Sequence, residues 1–179
     1  MADTYTLKVA GITRELQICP VNEKLDIAAF IMFSDVELTV ATATELISKC
    51  PECDIIITAE SKGIPLAYEM SRQIGKKYIV ARKSIKLYMR NPIGVAVQSI
   101  TTTAGQMLYL DSNDMLELKG KRVLIVDDVI STGESINSVV NLVEKAGGIV
   151  VGKAAVLAEG DAADRKDIIF LEKLPLFFK

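Results

Sequence analysis

The chain has 179 residues, half of them hydrophobic and a quarter charged, with a net charge of −2. That length and balance fit one globular domain with a full core, and the charge gives no general footing for nucleic acid. There is no histidine, which excludes histidine triads, most catalytic zinc sites and histidine general bases.

No apolar run approaches the ~20 residues needed to cross a bilayer, so no membrane partner is expected. The N-terminus, Met-Ala-Asp-Thr-Tyr-Thr, lacks the basic and apolar regions of a signal peptide. Cys19, Cys50 and Cys53 form an odd set without framework spacing. They argue for reduced thiols and a cytoplasmic location. Cys50-Pro-Glu-Cys53 is formally a C-x-x-C, but it precedes a strand and has no second pair.

Residues 4–10 and 13–19 alternate apolar and polar around Gly11 and predict a β-hairpin. Residues 34–49 carry apolar positions at helical spacing. A short buried strand follows at 54–58, then a helix over 64–75. Residues 77–82 read as a strand and 83–94 as a basic, irregular stretch. Residues 95–101 and 106–110 predict a second hairpin around 102–105. A strand at 122–127 leads to a helix over 134–146, closed by Gly147-Gly148. Residues 149–158 form a long apolar strand, and the tail is apolar at 168–170 and 174–178. Strands alternating with helices predict an α/β fold with a parallel sheet covered on both faces. A ligand should lie at the carboxyl ends of its strands. No linker divides the chain, so a single domain spans 1–179.

Residues 123–135 carry the most chemistry: Val-Leu-Ile-Val-Asp-Asp-Val-Ile-Ser-Thr-Gly-Glu-Ser. A buried strand delivers Asp127 and Asp128 into a loop of hydroxyl residues and glycine, and a helix begins there. Backbone N–H groups and the positive helix end attract a phosphate. The carboxylates accept hydrogen bonds from sugar hydroxyls. A plain capped turn needs only one acid. A second loop, Thr58-Ala-Glu60-Ser61-Lys62-Gly63-Ile-Pro65, also joins a buried strand to a helix. Its small residues let backbone approach an anion closely. A third feature is Arg82-Lys83 at a strand end, followed by Ser84, Lys86 and Arg90. Arginine suits bidentate phosphate contacts and lysine supplies a point charge.

Together these stretches resemble the type I phosphoribosyltransferase family, whose motif is an apolar strand, two acids, two variable residues and a small-Thr-Gly-x-Ser/Thr loop. The resemblance implies that family's fold: a central parallel sheet flanked by helices, core at about 30–160. The N-terminal hairpin and C-terminal tail, about 1–29 and 160–179, would form a small hood over a base. It also implies an enzyme using phosphoribosyl pyrophosphate (PRPP), a purine base and Mg²⁺ carried by PRPP, without a direct protein ligand to the metal. Asp127 and Asp128 would hold the ribose hydroxyls, and Ser131, Thr132, Gly133, Glu134 and Ser135 the 5-phosphate. Glu60, Ser61, Lys62, Gly63, Arg82, Lys83 and Lys86 would bind pyrophosphate, with Asp127, Asp128, Arg82 and Lys83 as the catalytic set. The family also implies a cis non-proline peptide in the 60–63 loop, a mobile cover from about 84 to 106, and a homodimer.

Hypoxanthine–guanine members carry an acid at the position of Ser131. Adenine and xanthine members carry a small residue there, so adenine is the expected base and xanthine the alternative. The adenine members' Glu-Tyr pair in the cover is missing, which leaves Glu159 as the candidate facing the base. Residues 61–68 also resemble the effector domain of purine-responsive repressors, so a non-catalytic PRPP-binding role is a further alternative. An orotate-type transferase is a more distant one.

Overall fold

The structure is a computed structural model that describes residues 3–97 and 106–179. Its centre is a five-stranded, all-parallel sheet. The strands are β4 (Ile55–Ala59), β5 (Lys77–Ala81), β8 (Arg122–Ile130), β9 (Ile149–Glu159) and β10 (Ile169–Leu174), in the order β10-β9-β8-β4-β5. A four-stranded antiparallel sheet comprises β1 (Thr4–Val9), β2 (Ile12–Asn22), β3 (Leu25–Ala28) and β11 (Leu176–Phe178). A separate pair is β6 (Ile93–Val97) with β7 (Gln106–Leu110). The helices are α1 (Val36–Lys49), α2 (Ile64–Ile74), α3 (Ser112–Leu118) and α4 (Glu134–Lys145).

Two apolar layers sandwich the main sheet, and they explain why its strands read as unbroken apolar runs. Ile56, Leu124 and Val126 pack with Leu38 and Leu46 of α1 and Leu66 and Met70 of α2. The alternate residues Ile55, Ile57, Val123 and Ile125 pack with Ile136, Val139 and Leu142 of α4 and with Leu108 and Leu110 of β7. Each such side chain, fully buried, contributes roughly 1.5–3 kcal/mol of transfer free energy. Leu7 of β1 and Leu16 of β2 continue the first layer into the antiparallel sheet, so the two sheets share one core.

Local signals set the helix starts. Asp35 caps α1 by accepting from the Leu38 N–H, and Arg14 of β2 grips the same carboxylate with hydrogen bonds of 2.8 and 3.0 Å. This ties the antiparallel sheet to the first helix. Pro65 sits in the first turn of α2, where no N–H is needed. Gly133 precedes α4 with φ +82°.

The core order followed the sequence, but β3 was not foreseen, and four further differences stand out. β8 runs to Ile130, three residues beyond its expected end at 127, because it keeps pairing with β9 through Ile130↔Ala158. The tail divides: β10 extends the main sheet beside β9, and only β11 joins the antiparallel sheet. β6 starts at Ile93, inside the stretch expected as a continuous cover; the rest of that expectation, 98–105, lies outside the described residues. The helix α3 was not foreseen. It starts with Asp111 and Asp114 in a reciprocal capping box.

Strand order reverses between β4 and β8. β4 leads through α2 to β5 on one side, while β8 leads through α4 to β9 on the other. Open parallel sheets bind ligands at the carboxyl ends of strands at such a reversal. The β4–β8 ladder stops at Ile57↔Ile125, although both strands continue. The sheet therefore parts just before Asp127.

Candidate active site

The parting opens into a cleft of ≈ 260 Å³ lined by Ala59, Glu60, Ser61, Lys62, Lys83, Leu108, Asp127, Asp128, Val129 and Ser135. Seven of the candidate residues meet on one surface here: Glu60, Ser61, Lys62, Lys83, Asp127, Asp128 and Ser135. A cavity of ≈ 330 Å³ lies at the opposite end of the sheet, beside Cys50, Cys53 and Arg122. Its arginine is already held by Asp54, with a contact of 3.0 Å. Burial there pushes the Cys50 thiol up to about 12, so it is not a nucleophile near neutral pH.

The acid pair is the electrostatic centre of the cleft. Asp127 Oδ1 accepts from the Asp128 N–H at 2.9 Å. Burial, and then the neighbouring Asp128, push the Asp127 carboxyl well above its ordinary value. Asp128 is 2% exposed. Its Oδ2 lies 3.2 Å from Lys62 Nζ, an ion pair without hydrogen-bond alignment, so this buried oxygen has no hydrogen-bond donor. Lys62 also acts electrostatically on Glu159 at the end of β9. Half-burial raises the Glu159 carboxyl, and Lys62 opposes that shift. One ammonium thus serves three carboxyl groups.

The 60–63 loop is pressed against this pair. A Cβ at Gly63 would fall 2.9 Å from Asp127 Oδ1 and 3.2 Å from its Cα, and would collide with Thr58 Oγ1. Only glycine fits that approach. The Glu60–Ser61 peptide is cis.

Glu60 is the hub of the basic cluster. Its Oε2 accepts from the Lys83 N–H at 2.8 Å, while Arg82 lies 3.5 Å and Lys86 3.8 Å from the carboxylate. The Lys83 N–H, chiefly, and the three cations hold this carboxyl below its ordinary value. Its own N–H donates to the Ala81 carbonyl at 2.8 Å. The N–H of Glu60 is thus taken, and its carboxylate, an acceptor only, arranges the cations. Arg82 is also stitched to β7: its N–H donates to the Tyr109 carbonyl at 2.9 Å, and its carbonyl accepts from the Tyr109 N–H at 2.8 Å. Its buried Nε has no partner among the described residues.

The 131–135 loop forms the remaining wall. Ser131, Thr132 and Ser135 are exposed, and Thr132 Oγ1 accepts from the Glu134 N–H at 3.5 Å. Gly133 is buried beneath the Arg165 guanidinium. Nothing local in the sequence pointed to Arg165, which is brought in by the turn after β9.

The phosphoribosyl transferase domain profile matches residues 34–175, spanning the sheet, both loops and the basic cluster. The chain belongs to this family. Among phosphoribosyl transferases, adenine phosphoribosyltransferase of Rhodococcus jostii (strain RHA1) is 34% identical over 126 residues, covering 70% of this chain and 69% of that protein. Hypoxanthine/guanine phosphoribosyltransferase of Methanocella paludicola is 36% identical over 110 residues, covering 62% and 54%. The crystal structure of adenine phosphoribosyltransferase from Thermoanaerobacter pseudethanolicus superimposes with a TM-score of 0.73 at 22% identity, covering 88% of this chain and 95% of that one. At that identity the superposition speaks for the phosphoribosyl transferase fold alone. Among the described residues no group of three His, Cys, Asp or Glu side chains gathers as a metal site, and no helix is long and apolar enough to cross a membrane.

Proposed function

We propose that the chain transfers the 5-phosphoribosyl group of PRPP to a purine base, adenine first, with release of pyrophosphate. The observation that carries this reading is the parting of β4 from β8, where the Asp127–Asp128 pair faces the Gly63 loop across one cleft. A carboxylate pair suits the vicinal hydroxyls of ribose. Arg82, Lys83 and Lys86 suit the leaving pyrophosphate.

In this reading Asp127 and Asp128 fix the sugar ring while C1 gains positive character. Loss of the C1–oxygen bond sends the electron pair to pyrophosphate, and a base nitrogen forms the new bond at C1. Lys62 turns from Asp128 towards the departing anion, so the charge it neutralises changes as substrate enters. The backbone and hydroxyls of Ser131, Thr132 and Ser135, with the N-terminus of α4, hold the 5-phosphate. Most of the acceleration is then positioning and charge stabilisation. The cleft fits Mg²⁺ carried by the substrate without a direct protein ligand: hard carboxylate oxygens, one of them the buried Asp128 Oδ2 that lacks a hydrogen-bond donor, would accept from the ion's waters and the ribose hydroxyls. When bound, the ion supplies charge neutralisation at the pyrophosphate. Glu159 at the end of β9, with its raised carboxyl, is the candidate to hold or move the base proton. The antiparallel sheet β1-β2-β3-β11 would form the hood, and a homodimer in the cytoplasm is the expected setting.

Adenine is favoured by Ser131, where 6-oxopurine members carry an acid, and by the Rhodococcus relative. The Methanocella relative favours hypoxanthine or guanine instead. Incubation with PRPP, Mg²⁺ and each of adenine, xanthine, hypoxanthine and guanine tests both, with pyrophosphate release as the readout. We expect the highest kcat/KM with adenine. No release with any base would overturn the transferase reading.

A further inference from the structure

Arg165 follows the 3-10 turn Gly160–Asp164 after β9. It is 32 residues from Gly133 in sequence, yet its guanidinium lies on that glycine: a Cβ there would collide with Nη1. The guanidinium is held from behind. Its Nε and Nη2 donate to the two oxygens of Asp167 at 2.9 and 2.8 Å. Lys153 of β9 pairs with the same carboxylate. This grip consumes one edge of the planar fork and aims the other, carrying Nη1, at the 131–135 loop. No partner is seen for Nη1 among the described residues. A fixed guanidinium edge with unused donors, beside exposed hydroxyls and a helix N-terminus, is suited to a dianionic phosphate.

We propose that Arg165 is a substrate-binding residue that closes the outer wall of the 131–135 loop and contacts the 5-phosphate of the donor. Asp167 is its positioning residue, since it fixes which edge of the fork faces the loop. The proposal rests on the phosphoribosyl reading above.

The test titrates ribose 5-phosphate and, separately, Mg²⁺-pyrophosphate into wild type, Arg165→Gln and Arg165→Lys, with melting temperatures recorded alongside. For Arg165→Gln we expect ribose 5-phosphate to weaken about 10-fold or more, the range of a lost charged hydrogen bond, with pyrophosphate unchanged. KM for PRPP should rise with it while kcat holds. Arg165→Lys keeps the charge, so it should lose about 3-fold and carries the comparison if the glutamine variant melts early. Unchanged ribose 5-phosphate affinity in both variants overturns the role of Arg165. Equal weakening of pyrophosphate also overturns it, because that signals general loss of the site. Failure of the wild type to bind ribose 5-phosphate would instead strike the phosphoribosyl reading itself, and Arg165 with it.

Discussion

Two strand-to-helix turns face each other across the cleft, and they are built on opposite plans. The turn from β4 to α2 is fixed from within. Glu60 spends its N–H on Ala81 and its carboxylate on the basic cluster, and Gly63 touches Asp127. The turn from β8 to α4 is open. Its three hydroxyl residues face solvent, its glycine has a positive φ, and a distant arginine braces it. A turn that neighbours two carboxylates must be held in place before any anion arrives, since those charges repel the anion. The turn into α4, whose glycine meets the Arg165 tip and not the acids, can stay open while its helix N-terminus attracts the anion.

The sharpest test of this contrast lies at the acids. Asp127→Asn should lower kcat/KM for PRPP about 100-fold, as expected for a lost charged contact to the sugar. The same change should raise the melting temperature at pH 7. The folded chain holds the Asp127 proton more tightly than the unfolded chain. The carboxyl's contribution is therefore fully present below the unfolded value near 3.8 and is lost as pH rises through the higher folded value. Removing the charge should gain about 2–4 °C at pH 7, and the gain should shrink towards pH 4. A variant no more stable than its parent would show that the pair is not under strain from its own charge.

Next in size is Gly63→Ala. Thr58 is buried and the Asp127 backbone cannot yield, so the added methyl should cost about 2–3 kcal/mol in urea unfolding. Gly133→Ala should cost less, about 1–2 kcal/mol from its positive φ, because the arginine tip above it can swing aside. Equal costs would break the distinction between a fixed and an open turn. The smallest effect is expected from Glu60→Gln. The partly exposed ion pairs it removes are worth up to about 1 kcal/mol of stability. Pyrophosphate should bind a few-fold tighter, because the cations lose their internal counterion; calorimetry reads it directly. Weaker pyrophosphate binding would mean that Glu60 orders the cluster more than it competes for it.

Much of this was legible in the chain. The Val123–Val126 run and the acids after it read directly as a buried strand feeding a phosphate turn, because both signals are local. The tight glycine at 63 and the basic strand end at 82–83 were legible for the same reason. What escaped depends on tertiary partners. The pairing of the Glu60 N–H with β5 and of its carboxylate with the basic cluster has no local signal. β8 overran its predicted end because β9 continues beside it. α3 was hidden because only Leu118 of its seven residues is buried, so no apolar period marks it. Arg165 has no local signature at all, since its role exists only once β9 returns the chain to Gly133.

The two backbone bonds between Arg82 and Tyr109 join a cation of the cleft to the β6–β7 pair. Cation and hairpin are thereby one mechanical part. A displacement of that hairpin tugs on the root of the guanidinium, and a tightly held anion pulls back through the same two bonds. In the transferase reading, product escape would then be coupled to the position of the β6–β7 pair through those two bonds.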